Sequence, residues 1–324
     1  MLPSRRCALV ELPLKNMGIS NAGIKSPLRQ IRRCWQLYLI MLLPLLVIFI
    51  FSYGPMFGLQ IAFKNFQARN GIWGSPWVGF IHFQNFFKSY QFKRLLSNTL
   101  GISFYQLAAG FPIPIILAIL INESANNFYK KGVQLITFAP HFISTVVMVN
   151  MVLMFLSVYG GLVNNIIVTL GGSRLDFIAK PEYFKSIYVW SGIWQSMGYN
   201  SVIYIAALSA IDPSLYEAAT IDGAGKFQKI IHIDLPGIAP TIIILLILNC
   251  GRIMNVGYEK ALLMQNSLNM PASDVISTYV YRMGLEQAQY SFSAAVGMFD
   301  SVVNTILLVL VNQIARKIGE TSLW

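Results

Sequence analysis

The sequence predicts an all-α polytopic membrane protein, on three observations. The 324 residues are 55% hydrophobic and only 11% charged, with a mean hydropathy of +0.58, whereas soluble domains carry roughly 25% charged residues. Six charge-poor apolar runs approach the roughly 20 residues that a spanning helix needs. One long polar stretch in the second half, Asp212 to Pro240, carries the start and stop signals of folded helices rather than of a loose loop. The net charge of +11 comes without a compact basic domain or a basic–aromatic module, so no nucleic-acid partner is expected. Cys7, Cys34 and Cys250 are scattered, without disulfide or metal-ligand spacing. The first long apolar run begins only after residue 34, which argues against a cleaved signal peptide.

The basic tail 1–34 carries Arg5, Arg6, Lys15, Lys25, Arg29, Arg32 and Arg33 against Glu11, which places the N-terminus in the cytoplasm. The first span is expected at Gln36–Phe57. The loop Gly58–Arg94 follows, rich in Phe63, Phe66, Trp73, Trp77, Phe80, Phe83, Phe86, Phe87 and Tyr90; aromatics gather at membrane interfaces, so it reads as a helix or ribbon at headgroup level on the outer side. Further spans are expected inside Leu95–Asn122, near Phe138–Leu156, at Ser186–Leu208, at Ile238–Val256 and at Phe292–Asn312. Between the third and fourth, Leu162–Leu170 is bounded by glycine pairs and is too short to span, so it reads as a small helix on the outer face. The chain divides into the tail 1–34, the first span with its aromatic loop 35–94, a transmembrane core 95–315 and a cytoplasmic tail 316–324. No internal repeat of the kind found in many secondary transporters is evident.

Within the polar stretch, Asp212 suits a helix N-cap and Pro213 the first helical position, where no amide donor is needed. Glu217, Ala218 and Ala219 continue that helix, and Gly223 and Gly225 break it. A second helix starts at Phe227, and Leu235-Pro236 is expected to close it before the next span. The blocks Glu217-Ala218-Ala219, Asp222-Gly223-Ala224 and Ile233-x-Leu235-Pro236 resemble the EAA loop of binding-protein-dependent ABC importers. There the loop (here 212–236) is a coupling helix on the cytoplasmic face, seated in a cleft of the ATP-hydrolysing subunit.

The resemblance extends over about Leu95 to Ala315, similar to the type I ABC importer core of five spans with the hairpin between the third and fourth. The link from Asn122-Glu123 through Gly132-Val133-Gln134 to Phe138-Ala139-Pro140, and the stretches GIWGSPWVGF, PHFISTVV, DVISTYVYR and TSLW, resemble the oligosaccharide-permease branch, and within it the permeases of alginate importers. The resemblance implies a second, homologous permease subunit, two ATP-binding subunits and a periplasmic or lipid-anchored solute-binding protein, all in the lipid of a bacterial inner membrane. It implies that Glu217 pairs with a basic residue of the ATPase while Ala218 and Ala219 allow close approach. ATP and Mg²⁺ would be used by that partner, with no cofactor bound by this chain. ATP-driven closure would move the hairpin as a lever and open a cavity outward to the sugar.

The chain offers no chemistry of its own. Gly223-Ala224-Gly225-Lys226 superficially matches a phosphate loop, but Thr220 stands where the first glycine belongs and Phe227 replaces the hydroxyl. His82, His141 and His232 are dispersed, no catalytic spacing occurs, and an enzyme is not expected. Polar residues inside spans are costly in lipid and so mark a transport path: Trp190, Trp194, Gln195, Tyr199, Asn200 and Tyr204 in the fourth span, Asn249, Arg252 and Asn255 in the fifth, Asp300 and Asn304 in the sixth. Rings and amides suit a sugar, but the same residues serve equally as interhelical glue. Arg252 is a candidate partner for Asp300 or for an anionic ligand. The outer loops sum to a net of +6, which suits an acidic cargo or binding protein but also side chains snorkelling at span ends. Two alternatives to an oligosaccharide importer are an ABC importer of non-sugar cargo and a stand-alone secondary transporter using Asp300.

Overall fold

A computed structural model describes residues 35–124 and 126–318. The basic tail 1–34 and residues 319–324 lie outside the described residues. Residues up to Phe57 form one unit and residues from Gly58 onward another. The first unit is the apolar helix α1, which continues as a tighter turn to Phe63 (Trp35–Phe63 in all).

In the second unit, α2 (Ile81–Lys88) precedes α3 (Phe92–Glu123), α4 (Asn127–Phe142), α5 (Thr145–Leu156) and α6 (Leu162–Thr169). Then follow α7 (Pro181–Ser209), α8 (Pro213–Ile221), α9 (Lys226–Cys250), α10 (Tyr258–Met264), α11 (Ile276–Tyr281) and α12 (Tyr290–Ile318). Among the described residues there is no strand beyond the isolated bridge Lys64–Trp77. The small helix expected at Leu162–Leu170 is present as α6, and the flanking Gly160 and Gly171 both have positive φ.

Among the described residues four helices, α1, α3, α9 and α12, are long and apolar enough to cross a membrane, and the bent pair α4–α5 makes a fifth if counted as one span. The expected count of six is not confirmed. The fourth expected span does lie inside the 29-residue α7, but its serines, Gln195 and Asn200 dilute its apolarity. The third expected span is not one rod. Pro140 opens a 3₁₀ turn, Ile143 and Ser144 are extended, and Ser144 caps α5, so the chain bends by 101°. Twelve residues of α5 reach only ~18 Å, short of the roughly 30 Å hydrocarbon layer.

The end of the hairpin also differs from expectation. Leu235-Pro236 does not close a helix, because Lys226 to Cys250 is continuous. A π-helical turn at Ile230–Asp234 directly precedes the proline. Such widening relieves the clash between a proline ring and the carbonyl one turn back, so the helix survives. The same device recurs at Gln106–Gly110 ahead of Pro112 and Pro114 in α3. At its other end α9 stops at Cys250, short of the expected Val256.

Helix α7 is central, packing on α3, α4 and α9. Against α4 it passes so close that a Cβ on Gly198 would collide with the backbone of Thr137 and Phe138. Toward the hairpin, Ile115, Ala118 and Ile119 of α3 bury against Tyr204 and Leu208 of α7 and Ile238 of α9. The aromatic loop is more than an interfacial ribbon. Phe86 is fully buried among Phe92, Tyr279, Phe292 and Phe299, while Trp73, Trp77 and Tyr90 stay exposed.

Candidate functional site

Helix α8 begins as its sequence requires: the Asp212 carboxylate accepts from the Ser214 N–H at 2.9 Å, and that bond holds its carboxyl below the ordinary range. Its end is a Schellman turn. Gly223 has φ +76°, its N–H reaches the Thr220 carbonyl, and the Ala224 N–H reaches that of Ala219 at 2.8 Å. Gly223 is therefore required at this position, because a side chain disfavours left-handed backbone. Helix α9 starts with the Gln228 side chain accepting from the Gly225 N–H, 2.8 Å.

Between the two arms runs a groove of about 270 Å³ lined by Ala219, Asp222, Gly223, Ala224, Gln228, Lys229, His232 and Ile233. Glu217 and Ala218 lie on the exposed surface of α8, and Leu235 and Pro236 sit further along α9. Lys229 Nζ donates to Thr220 Oγ1 across the hairpin at 2.8 Å. Deeper, the Tyr216 hydroxyl donates to the Asp234 carboxylate. Burial, reinforced by that carboxylate, pushes the Tyr216 hydroxyl well above its ordinary value.

Separately, α3, α7 and α9 enclose a cavity of about 260 Å³. Of the residues expected along a transport path, Asn200, Asn249 and Arg252 line it, together with Asn255 and Tyr204. Ser103, Gln106 and Ser196 also line it and were not foreseen. For α7 the signal was available, since Ile193, Ser196, Asn200 and Ile203 recur at helical spacing on one face. For α3 it was the paired prolines, which mark the π turn that carries Gln106.

The other expected residues are elsewhere. Trp190 Nε1 donates to the Tyr105 hydroxyl at 2.9 Å, and Gln195 Nε2 to the Ile143 carbonyl at 2.8 Å. Tyr199 stacks on His141 with ring centroids 3.9 Å apart, and Trp194 is partly exposed. These are helix-to-helix contacts, as the interhelical reading anticipates. Asp300 and Asn304 are not in the cavity wall. Asn304 Nδ2 donates to Asp300 at 3.4 Å, and its Oδ1 accepts the Met254 N–H at 2.9 Å. The expected Arg252–Asp300 pair does not form: both ion pairs among the described residues belong to Asp274. Sequence spacing fixes faces within one helix but not which helices meet, and here α12 turns Asp300 toward its own Asn304.

Among the described residues no cluster of His, Cys, Asp and Glu suits a metal ion. The arrangement therefore offers a partly polar cavity with one arginine in its wall and a grooved hairpin.

Residues 110–320 match the family model described as binding-protein-dependent transport system inner membrane component. Protein LplB of Bacillus subtilis (strain 168) is 43% identical over 288 residues, 89% of this chain and 91% of that protein. The polygalacturonan/rhamnogalacturonan transport system permease protein YteP of the same organism is 42% identical over 288 residues, covering 89% and 90%. A chain in the crystal structure of a bacterial alginate ABC transporter in complex with alginate pentasaccharide-bound periplasmic protein superposes with a TM-score of 0.84 at 41% identity, covering 92% of this chain and 99% of that one.

Proposed function

The chain belongs to the binding-protein-dependent transport system inner membrane components, as the multi-pass permease subunit of an ABC importer and not an enzyme, and from that premise we propose that it carries an acidic oligosaccharide, with alginate oligosaccharide the leading candidate. The observation that carries the cargo reading is Arg252. It lines the cavity with Gln106, Asn200, Asn249 and Asn255 and makes no ion pair among the described residues. A guanidinium facing amides and hydroxyls is complementary to a sugar that bears a carboxylate. The polygalacturonan/rhamnogalacturonan named for YteP and the alginate of the transporter structure, which all contain uronic acids, agree with that chemistry.

In this reading a second, homologous permease completes the cavity, and two ATP-binding subunits that use ATP and Mg²⁺ dock on the hairpin 212–236 at the inner face. A periplasmic or lipid-anchored binding protein delivers the sugar, in keeping with the periplasmic protein bound in the alginate transporter structure. Both termini then lie in the cytoplasm, the core is 95–315, and 35–94 contributes the first span and an outer loop. Stand-alone transport through Asp300 gains no support, because that carboxylate is engaged by Asn304 away from the cavity.

The test is ATP hydrolysis by the complex reconstituted in proteoliposomes with its binding protein. Uronate oligosaccharides are expected to stimulate it, and Arg252→Gln to lower their uptake by about tenfold, the loss of one charged hydrogen bond. Stimulation by neutral sugars or by a non-sugar cargo, with uronates inert, would overturn the cargo assignment.

A further inference from the structure

Helix α8 is not held by burial. No residue of α8 is buried, and Leu215, Ile221 and Phe227 are exposed. The Lys229–Thr220 bond across the hairpin is also solvent-exposed, and ties of that kind contribute little. What does fix it is set deeper, at two points. At the base, Gly237 lies against Ile211, where an added Cβ would approach the isoleucine to 2.5 Å. Farther along α8, the Tyr216 hydroxyl donates to Asp234, a fully buried carboxylate in the π turn just before Leu235-Pro236.

The chemistry at this point is unusual for a merely structural contact. The second Asp234 oxygen is buried and has no hydrogen-bond partner among the described residues. A buried carboxylate with one donor costs free energy that a well-packed apolar pair avoids. What it supplies instead is direction: a hydrogen bond weakens steeply when donor and acceptor slide or rotate out of line, whereas an apolar contact is non-directional. Ile211–Gly237 is an apolar contact, so Tyr216–Asp234 is the directional one of the two that join the α8 side of the hairpin to α9.

We propose that the Tyr216–Asp234 bond is the strut through which displacement of α8 reaches the membrane helix α9, making both residues positioning residues for the coupling of ATP hydrolysis to transport. The inference rests on the importer reading above and names the part of the hairpin that transmits motion. Glu217 and its neighbours then meet the ATPase, while Tyr216, the preceding residue, faces inward and passes the movement on.

The test compares Tyr216→Phe, Asp234→Leu and Asp234→Asn in the full reconstituted complex, reading cargo moved per ATP hydrolysed. Tyr216→Phe and Asp234→Leu are expected to lower that ratio about tenfold while hydrolysis continues. Asp234→Asn keeps an acceptor for the hydroxyl and should stay within about twofold of wild type. A wild-type ratio in Tyr216→Phe and Asp234→Leu overturns the strut. So does a parallel fall in both activities and in complex yield at constant ratio, the signature of a packing role.

Spin labels at exposed Ile221 and Leu248, in a cysteine-free background, give a readout independent of turnover for variants that reconstitute poorly. Their distance distribution should broaden in Tyr216→Phe and not in Asp234→Asn; an unchanged distribution counts against the strut. Failure of the loaded binding protein to stimulate even the wild-type complex would overturn the importer reading, and the strut with it.

Discussion

Arg282 grips Asp274 with two hydrogen bonds, 2.8 and 3.0 Å long, and Arg94 of α3 reaches the same carboxylate at 3.2 Å. Asp274 is fully buried, so it is compensated by charge rather than by water. Around it, Asn98 Nδ2 donates to the Pro271 and Asp274 carbonyls, and Thr99 Oγ1 accepts the Ile276 N–H. The segment between α10 and α12 is thereby pinned to α3. Removing one partner of a buried pair typically costs about 3–5 kcal/mol, because the other charge is stranded. Arg282→Met is therefore expected to lower the melting temperature of the purified complex strongly. Arg94→Gln should lower it much less, since Arg94 is about a third exposed (35%). Equal effects from the two would contradict this account.

Gly198 is where α7 and α4 meet backbone to backbone, and even a methyl group has no room there. Overpacking a tight contact costs about 1–3 kcal/mol or more. Gly198→Ala should therefore reduce thermal stability and yield. At Gly192 a Cβ would meet only the end of the Lys260 side chain, 3.0 Å away, so Gly192→Ala should be milder. Thermal unfolding of the two variants side by side settles the order.

These contacts show what sequence alone can and cannot reach. The start and turn of the hairpin were legible, because Asp212, Pro213 and Gly223 act locally through a cap, a missing amide and a positive φ. Pro236 misled for the complementary reason. Its local effect is helix breaking, and only the π turn around Asp234 absorbs it. Asn200, Asn249 and Arg252 were found as polar residues in apolar runs. Trp190, Gln195 and Tyr199 passed the same filter yet bridge helices, since periodicity does not say which face meets which neighbour. Phe86 was hidden among exposed aromatics because burial depends on residues as distant as Phe299.

Lys260 supplies a pH prediction. Its amine is buried, donates to the Tyr188 carbonyl at 2.6 Å and lies 4.5 Å from that tyrosine's ring centroid, with no carboxylate in ion-pair range among the described residues. Burial pulls it down to about 7 from 10.5. Between those values the unfolded chain binds a proton that the folded chain does not, so stability rises with pH. Below about 7 both states are protonated and the penalty is constant. Wild type should therefore gain stability relative to Lys260→Met as pH is raised from 7 to about 10, read as the difference in melting temperature. A difference that does not change with pH would show that the amine carries no such penalty.

Glu217 tests the proposed docking of the ATP-binding subunits on α8. It is exposed on α8 and makes no ion pair among the described residues, so none of the hairpin's described contacts depends on its charge. Exposed substitutions of this kind change stability by about 0.5 kcal/mol or less. Glu217→Lys should accordingly leave the permease folded and inserted. At an interface the arithmetic differs, because losing one member of a desolvated charge pair costs about 2–5 kcal/mol, and reversing its sign adds repulsion. ATPase subunits are then expected to dissociate from the purified permease, and uptake to fall at least about tenfold. Retention of the ATPase together with normal uptake in Glu217→Lys would mean that the exposed face of α8 is not where the nucleotide-hydrolysing subunit docks.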